Sequence, residues 1–188
     1  AGGMGTRLGS DHPKGMYDIG LTRPVYIFQR IIENMLDVVR QAEGWVRLFV
    51  MTSDKNHDMT MEFFKEKKYF GYNSDYVSFF VQDVVPASDY EGKAYMEEPW
   101  KISTSPNGNG GWFSSMNKCG LLDVIKNDGI EWINVFAVDN VLQRIADPCF
   151  VGAVIDNGCV AGAKVVKKSS PDERVGALCL EDGRPSIV

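Results

Sequence analysis

The chain opens with Ala1-Gly2-Gly3-Met4-Gly5-Thr6-Arg7-Leu8-Gly9, and Pro13-Lys14-Gly15 follows closely. Four glycines in nine residues allow the backbone to adopt positive φ angles and to approach a ligand, and consecutive amide groups in such a turn can bind an anion. Arg7 adds a planar guanidinium suited to bidentate phosphate contacts, and Lys14 adds a mobile point charge. The stretch therefore predicts a loop that binds a polyphosphate.

Two common glycine motifs do not fit this stretch. A P-loop requires a lysine and a hydroxyl residue directly after its last glycine, whereas Ser10 and Asp11 follow Gly9. A dinucleotide fingerprint requires a third glycine at the place of Leu8. A flexible glycine-rich terminus is the alternative, but such a terminus has no need of two cations and a proline at fixed places.

The composition limits the possible partners. At 188 residues the chain has the size of one domain, and 44% hydrophobic with 24% charged residues is typical of a soluble globular protein. The net charge of −5 argues against a general surface for nucleic acid or for an anionic membrane, because such surfaces need many Lys and Arg residues. A local cationic pocket is compatible with this charge.

The cysteine pattern bears on the cellular compartment. The chain has Cys119, Cys149, Cys159 and Cys179, no C-x-x-C motif, and two histidines, His12 and His57. This pattern favours reduced, mostly buried thiols over a disulfide framework or a zinc site. No signal-peptide pattern and no apolar run of about 18 residues is present. We therefore expect a cytosolic protein.

Hydrophobic periodicity predicts alternating helices and strands. Predicted helices cover residues 24–44, 57–68 and 112–128, with shorter helices near 141–146 and 150–157; predicted strands cover 45–51, 76–82, 132–138 and 163–167. Residues 88–111 are predicted to be a loop, and residues 174–179 and 186–188 a hairpin. The alternation predicts an α/β domain with a mainly parallel mixed sheet flanked by helices. Six aromatic residues are expected in its core: Trp45, Phe49, Phe79, Phe80, Trp132 and Phe136.

The carboxyl ends of the predicted strands should form one cleft. Ligands of parallel α/β sheets bind there, which brings together residues 51–53, 82–83 and 138–140. The carboxylate of Asp139 suits Mg²⁺, which usually takes one or two carboxylates together with substrate phosphates and waters. The same residue could equally cap the N-terminus of a following helix.

Amide-rich segments near this cleft could bind a nucleobase. Pro106-Asn107-Gly108-Asn109-Gly110-Gly111 offers donors and acceptors to a flat base edge, although N-G pairs are also common in plain turns. Gln82 could pair with the same base or be a satisfied amide at a strand end. His12 and His57 are expected at the surface, and no Ser-His-Asp or Cys-His arrangement is evident. This inventory suits nucleotidyl or phosphoryl transfer.

The opening motifs, A-G-G-x-G-T-R-L-G and P-K-G-x-Y-x-I-G-L, are followed by further motifs in a specific order. They are Phe28-Gln29, Met51-Thr52-Ser53, Glu62-Phe63-Phe64, Tyr69-Phe70-Gly71, Phe79-Phe80-Val81-Gln82, the segment 106–111, Val138-Asp139-Asn140, Ala146-Asp147-Pro148 and Gly162-Ala163-Lys164-Val165-Val166. Over nearly its whole length the chain thus resembles the eukaryotic-type UDP-sugar pyrophosphorylases, most closely the UDP-N-acetylhexosamine pyrophosphorylases.

The resemblance implies a Rossmann-like nucleotidyltransferase domain of the glycosyltransferase-A type. The implied reaction joins UTP and an N-acetylhexosamine 1-phosphate to give a UDP-sugar and pyrophosphate, by in-line attack on the α-phosphorus. The implied roles are catalytic cations at Arg7 and Lys14, nucleotide binding at Gly2, Gly3, Gly5, Thr6, Gln82, Pro106, Gly108, Asn109 and Gly110, and Mg²⁺ binding at Asp139.

Departures from the family pattern and two alternatives stay open at this point. Met4 stands where the family often has Gln, and Asp83 where it often has Gly. The resemblance also implies that residues 1–188 are a catalytic core without the family's first strand and C-terminal sugar-binding part. The alternatives are a UTP:glucose- or galactose-1-phosphate uridylyltransferase and a non-catalytic nucleotide-binding regulatory domain.

Overall fold

The computed structural model describes residues 1–173 and 175–187, except for the side chain of Arg7. The chain forms two compact units, Ala1–Pro148 and Cys149–Val188. The helices are α1 (Ile27–Ala42), α2 (His57–Glu66), α3 (Trp112–Lys118), α4 (Leu121–Asn127) and α5 (Pro148–Asp156). The strands are β1 (Leu48–Thr52), β2 (Val77–Val81), β3 (Val84–Pro86), β4 (Met96–Glu98), β5 (Lys101–Ile102), β6 (Thr104–Pro106), β7 (Leu178–Glu181) and β8 (Arg184–Ile187).

Helix α1 supplies one face of the core. Its buried residues are Ile27, Phe28, Ile31, Ile32, Met35 and Val38. They recur at the three- and four-residue spacing of one helix face, which is why this helix could be predicted from the sequence. The helix ends where Glu43 adopts a left-handed conformation (φ 51°) and its N–H donates to the carbonyl of Val39.

Strands β1 and β2 pair in parallel, with Leu48 opposite Val77 and Thr52 opposite Val81. Helix α2 connects them, as parallel pairing requires a crossover connection. Its Phe63 and Phe64 are buried in the core cluster formed with α1 and β1. The prediction of two parallel strands joined by a helix is confirmed for this part of the chain.

A left-handed turn follows α2. Lys68, Tyr69 and Phe70 have φ angles of 49°, 52° and 52°, and Gly71 has a φ of 84°. The Tyr69 and Phe70 rings lie 6.0 and 5.8 Å from the ring of Phe64, in edge-to-face contacts. These contacts hold a backbone conformation that residues with a Cβ rarely adopt.

The described residues do not form the predicted mainly parallel sheet, which stays a prediction. Their only parallel ladder is β1–β2; the ladders β3–β6, β4–β5 and β7–β8 are antiparallel pairs. The predicted strands at 132–138 and 163–167 form no ladder, because no other described strand lies beside them to exchange hydrogen bonds. Residues 88–111, predicted as loop, contain three short strands.

Two predicted helices also differ. The helix expected at 112–128 is divided into α3 and α4, because Gly120 adopts a φ of 72° and interrupts it. Residues 141–146 form turns instead of a helix. The predicted helix at 150–157 is confirmed as α5, which begins two residues earlier.

Several predicted core residues lie nearer the surface than expected. Phe80 is buried, but Trp45 and Trp132 are 41% and 37% exposed. Three of the four cysteines are exposed and Cys179 is half-buried, and none of the four forms a disulfide. The prediction of mostly buried thiols is therefore wrong, since these residues lie on short helices and extended segments outside the core cluster.

The second unit has no fully buried residue in its described part. The predicted hairpin is confirmed as β7 and β8, which pair in antiparallel register from Leu178 opposite Ile187 to Glu181 opposite Arg184. The first and last predicted hairpin positions, Arg174 and Val188, lie outside the described residues. Every helix within residues 1–173 and 175–187 is too short or too polar to span a bilayer.

Candidate nucleotide site

The glycine loop folds back on itself. The N–H of Gly5 donates to the carbonyl of His12 at 2.8 Å, and the N–H of Lys14 donates to the carbonyl of Gly3 at 3.1 Å. Thr6–Leu8 forms a short 3-10 turn that Gly9 ends at a φ of 71°. The opening stretch is thus a hydrogen-bonded loop and not a flexible linker.

The Pro13-Lys14-Gly15 turn is fixed against α1. Pro13 and Gly15 are buried, and a Cβ at position 15 would lie 2.3 Å from the ring of Phe28. Only glycine allows this close approach, so the glycine serves helix packing in addition to loop geometry. The packing fixes the backbone from which the Lys14 side chain extends.

A cavity of about 510 Å³ lies beside the loop. Its polar lining comes from Ala1, Gly2, Gly3, Lys14, Asn109, Asn134 and Asp139. Its apolar lining comes from α1, residues 48–51 of β1, Phe64, Phe80, α3 and the segment 133–138. Five of the predicted site residues, from four separate parts of the sequence, therefore meet at one cavity: Gly2, Gly3, Lys14, Asn109 and Asp139.

The predicted phosphate-binding lysine and the predicted metal ligand form an ion pair. Lys14 Nζ lies 2.7 Å from Asp139 Oδ1, and the two side chains are 23% and 59% exposed. A partly exposed pair of this kind is weak, about 0–1 kcal/mol. Each group is thus available to a stronger partner. The described chain has no helix directly after Asp139, so the N-cap alternative for this residue is not supported.

The cavity is partly desolvated beside this ion pair. The Lys14 side chain is half-buried, and the apolar side chains of Phe28, Ile31 and Phe64 line the same cavity. Charges act more strongly on one another where water is displaced. A polyphosphate bound there would interact strongly with Lys14.

A divalent cation would have few protein ligands here. The described residues contain no cluster of three His, Cys, Asp or Glu side chains, so a metal site built by protein ligands alone is not present among them. Mg²⁺ commonly takes one or two carboxylates and obtains its other ligands from substrate phosphates and water. The single exposed carboxylate of Asp139, at the cavity and beside a lysine, fits that type of site.

The predicted base-binding residues are only partly brought together. Gln82 is 9% exposed, and its amide lies so close to Gly2 that a Cβ at position 2 would be 2.6 Å from Nε2. Asn109 lines the cavity, whereas Pro106, Gly108 and Gly110 are exposed and outside its lining. The loop residues Gly5 and Thr6 also lie outside that lining, and the Arg7 side chain lies outside the described residues.

Asp83, a departure from the family pattern, has partners of its own. Its carboxylate lies 2.8 Å from Lys118 Nζ, and its N–H donates to Ser115 Oγ at 3.0 Å. Both partners belong to α3. The extra negative charge beside Gln82 is therefore paired with a cation on the helix that follows the 106–111 segment.

Two polar contacts at the carboxyl end of β1 were not predicted. Asn56 is fully buried, and its side chain bridges Ser53 and Ala1. His57, expected at the surface, is half-buried with Nδ1 2.7 Å from the hydroxyl of Thr52. That hydroxyl also donates to the carbonyl of Phe80 at 3.0 Å, so His57 Nδ1 is the donor to Thr52. The sequence shows only polar residues before a helix at this place.

The fold matches that of a nucleotide-sugar enzyme of known structure. The uridine diphosphate N-acetylglucosamine pyrophosphorylase from Trypanosoma brucei, solved in complex with an inhibitor, superposes with a TM-score of 0.91 at 34% sequence identity. The match covers 100% of this chain and 40% of that chain. The class of protein is thus one with a nucleotidyltransferase fold.

A family model described as UTP–glucose-1-phosphate uridylyltransferase matches residues 1–188, and the chain belongs to this family. Its relatives include UDP-N-acetylglucosamine diphosphorylase 2 from Arabidopsis thaliana, 41% identical over 95% of this chain and 38% of the relative. UDP-N-acetylhexosamine pyrophosphorylase-like protein 1 from Mus musculus is 39% identical over 100% of this chain and 38% of the relative. The predicted resemblance is confirmed, and the chain spans about two fifths of the length of these relatives.

Proposed function

We propose that this chain supplies the nucleotide-binding core of a UDP-N-acetylhexosamine pyrophosphorylase. The reaction would transfer the uridylyl group of UTP to an N-acetylhexosamine 1-phosphate and release pyrophosphate. The observation that carries the proposal is the cavity at which Gly2, Gly3, Lys14 and Asp139 meet, in a chain whose relatives bear names of N-acetylhexosamine enzymes.

In this proposal the loop binds the triphosphate. The amide groups of Gly2, Gly3 and Thr6 would face the phosphates, while Gly5, whose N–H donates to the carbonyl of His12, would shape the loop around them. Lys14 and Arg7 would neutralise charge on the phosphates and on the departing pyrophosphate. Gln82 and Asn109 contact the uracil, with the backbone of Pro106, Gly108 and Gly110 forming the outer edge of the base site. In this arrangement, substrate positioning and neutralisation of phosphate charge supply most of the catalysis.

The chemical step needs no general base from the protein. A phosphate oxygen of the sugar 1-phosphate, ionised at neutral pH, forms a bond to the α-phosphorus of UTP. The bond from the α-phosphorus to the bridging oxygen breaks, and pyrophosphate leaves with that electron pair. Asp139 would hold a divalent cation such as Mg²⁺, which neutralises phosphate charge when bound. The absence of a histidine from the described cavity lining agrees with this chemistry.

The Lys14–Asp139 ion pair supports the assignment of both residues. Without nucleotide the two side chains neutralise each other at 2.7 Å. When a triphosphate binds, its oxygens compete with Asp139 for Lys14, and the released carboxylate becomes available to a cation. The pair keeps both groups at the cavity at little energetic cost.

We also propose that the sheet of the whole protein is Rossmann-like and mainly parallel, with one more strand along the apolar part of the cavity, which leaves the polar part at Gly2, Gly3, Lys14 and Asp139 to the nucleotide. Within the described residues β1 pairs with β2 alone, which leaves its other edge unpaired. The extended segment 133–138 lines the same cavity as residues 48–51 of β1. A strand between them would give both segments a hydrogen-bonding neighbour, and it would be apolar on both faces, as in sheets covered by helices.

The deciding experiment measures pyrophosphate release by the full-length protein with UTP and Mg²⁺. N-acetylglucosamine 1-phosphate, N-acetylgalactosamine 1-phosphate and glucose 1-phosphate are compared as acceptors. We expect the N-acetylated sugars to be preferred. Preference for glucose 1-phosphate would instead support a glucose-1-phosphate uridylyltransferase, and a folded protein inactive with all three would contradict an enzymatic role in favour of a nucleotide-binding domain.

A lysine pair tests the site within the same assay. Lys14→Ala should lower turnover about 100-fold, the typical loss when one charge-stabilising group is removed from a reaction centre. Lys101→Ala is the matched control, because Lys101 is also ion-paired, with Glu97 at 2.8 Å, but lies on β5. Equal turnover in the two variants would contradict the role of Lys14. Arg7→Ala should behave like Lys14→Ala, with little loss of fold stability.

A further inference from the structure

Two amide side chains lie against the first residues of the glycine loop. Asn56 Nδ2 donates to the carbonyl of Ala1 at 3.2 Å, and its Oδ1 accepts from the N–H of Ser53 at 2.9 Å. Gln82 lies against Gly2, where a Cβ would come within 2.6 Å of its amide nitrogen unless the Gln82 side chain moved. The start of the loop is thus held by a tether on one residue and by a close contact on the next.

Asn56 is itself rigidly placed. It is fully buried, its N–H donates to the carbonyl of Ser53, and its carbonyl accepts from the N–H of Thr60, at 3.0 and 2.9 Å. It directly precedes α2, whose Phe63 and Phe64 lie in the core. Because Asn56 is fixed beside the core, its hydrogen bond to Ala1 holds the start of the loop in a fixed position relative to the core.

We infer that Asn56 is a positioning residue that sets the place of Ala1 and Gly2 for the triphosphate. Its side chain has to donate to one buried partner and accept from another, which an amide does in one planar group. An aspartate keeps the acceptor for Ser53 but places negative charge against the carbonyl of Ala1. A serine, although favoured before a helix, is too short to span both partners. The inference rests on the proposed nucleotide site.

The test uses the full-length protein with Asn56→Asp and Asn56→Ser. Both should raise the KM for UTP about tenfold, the effect of one lost buried hydrogen bond, with the KM for the sugar phosphate unchanged. Hydrogen exchange of residues 1–5, measured without nucleotide, should become faster. Asn56→Ser places no charge in this buried site, so it should show these effects with less loss of thermal stability than Asn56→Asp.

Asn73→Asp is the matched control. Asn73 also precedes a short helical turn, and its Oδ1 accepts from the N–H of Asp75 at 3.0 Å, a contact that aspartate can retain. It should alter neither the KM for UTP nor exchange in the loop.

Two results would overturn the inference. One is unchanged exchange of residues 1–5 in both Asn56 variants. The other is an equal rise in both KM values together with faster exchange throughout residues 1–148, which would assign Asn56 to stability alone. If the unaltered protein neither binds UTP nor releases pyrophosphate, the proposed function fails, but loop exchange still decides whether Asn56 positions the loop.

Discussion

At the scale of single residues, the buried phenol of Tyr72 makes the stability of the fold depend on alkaline pH. It is 4% exposed, and its hydroxyl donates to the carbonyl of Val46. Burial raises the pKa of the Tyr72 phenol to about 12, whereas an unfolded tyrosine has a pKa of about 10. The folded chain therefore holds this proton at a pH where the unfolded chain loses it.

We expect the free energy of unfolding to fall as the pH rises from about 10 towards 12, because the unfolded state binds fewer protons there than the folded state. Tyr72→Phe should flatten this alkaline decline, although loss of the hydrogen bond lowers stability at neutral pH by about 1 kcal/mol. Urea unfolding between pH 8 and pH 11.5 measures both effects. Tyr90→Phe, at a fully exposed tyrosine, is the control; equal alkaline slopes in the two variants would contradict the role of Tyr72.

The site residues illustrate what a sequence can reveal at this scale. Lys14 and Asp139 carry chemistry that is recognisable from residue type and position, and both lie at the cavity. The role of Asn56 could not be predicted, because its partner Ala1 is 55 residues away and nothing local marks the contact. Exposure of Trp45 and Trp132 was likewise unpredictable, since residue type gives a tendency to be buried and not a neighbour to be buried against.

At the scale of elements, the contact between the Pro13-Lys14-Gly15 turn and α1 decides where the loop lies. Gly15→Ala should lower the free energy of unfolding by about 1–3 kcal/mol, the usual cost of overpacking a core, because the new methyl group would collide with the Phe28 ring. Gly44→Ala is the control, since its Cβ would meet only the carbonyl oxygen of Ala42 at 3.7 Å. Urea midpoints that agree for both variants would show that α1 can shift to admit the methyl group.

Elements with a complete local signal were predicted well. The stripe of α1 and the apolar runs of β1 and β2 contain the information that forms them, and their bounds differ from the prediction by a few residues. The segment 132–138 has the composition of a strand, but a strand exists only when a second strand pairs with it. Half-buried and exposed residues alternate along this segment, as they do along a strand, but no described strand pairs with it.

At the scale of the whole molecule, the two units differ in burial. The first contains a cluster with Ile32 and Phe64 almost fully buried, while the described part of the second contains no fully buried residue. Amide exchange should therefore be slowest in α1 and β1 and at least tenfold faster in residues 149–187, because local opening is easier where few apolar contacts hold a segment. Exchange mass spectrometry of the 188-residue chain measures this, and similar protection in both units would contradict it.

Family membership and the two-strand parallel unit were predictable because both depend on ordered motifs along the chain. The division into units depends on contacts, which composition does not report. The cytosolic location and the requirement for Mg²⁺ stay predictions.

The left-handed turn at Lys68, Tyr69 and Phe70 limits which substitutions can be accepted there during evolution. Glycine or asparagine at 69 or 70 would relieve the backbone but remove a ring that packs on Phe64. A β-branched residue would strain the left-handed backbone and would also remove the ring that packs on Phe64. The aromatic residues at 69 and 70 are thus under two opposing requirements, so neutral variation should be scarce in this segment although none of its residues lines the cavity beside the glycine loop.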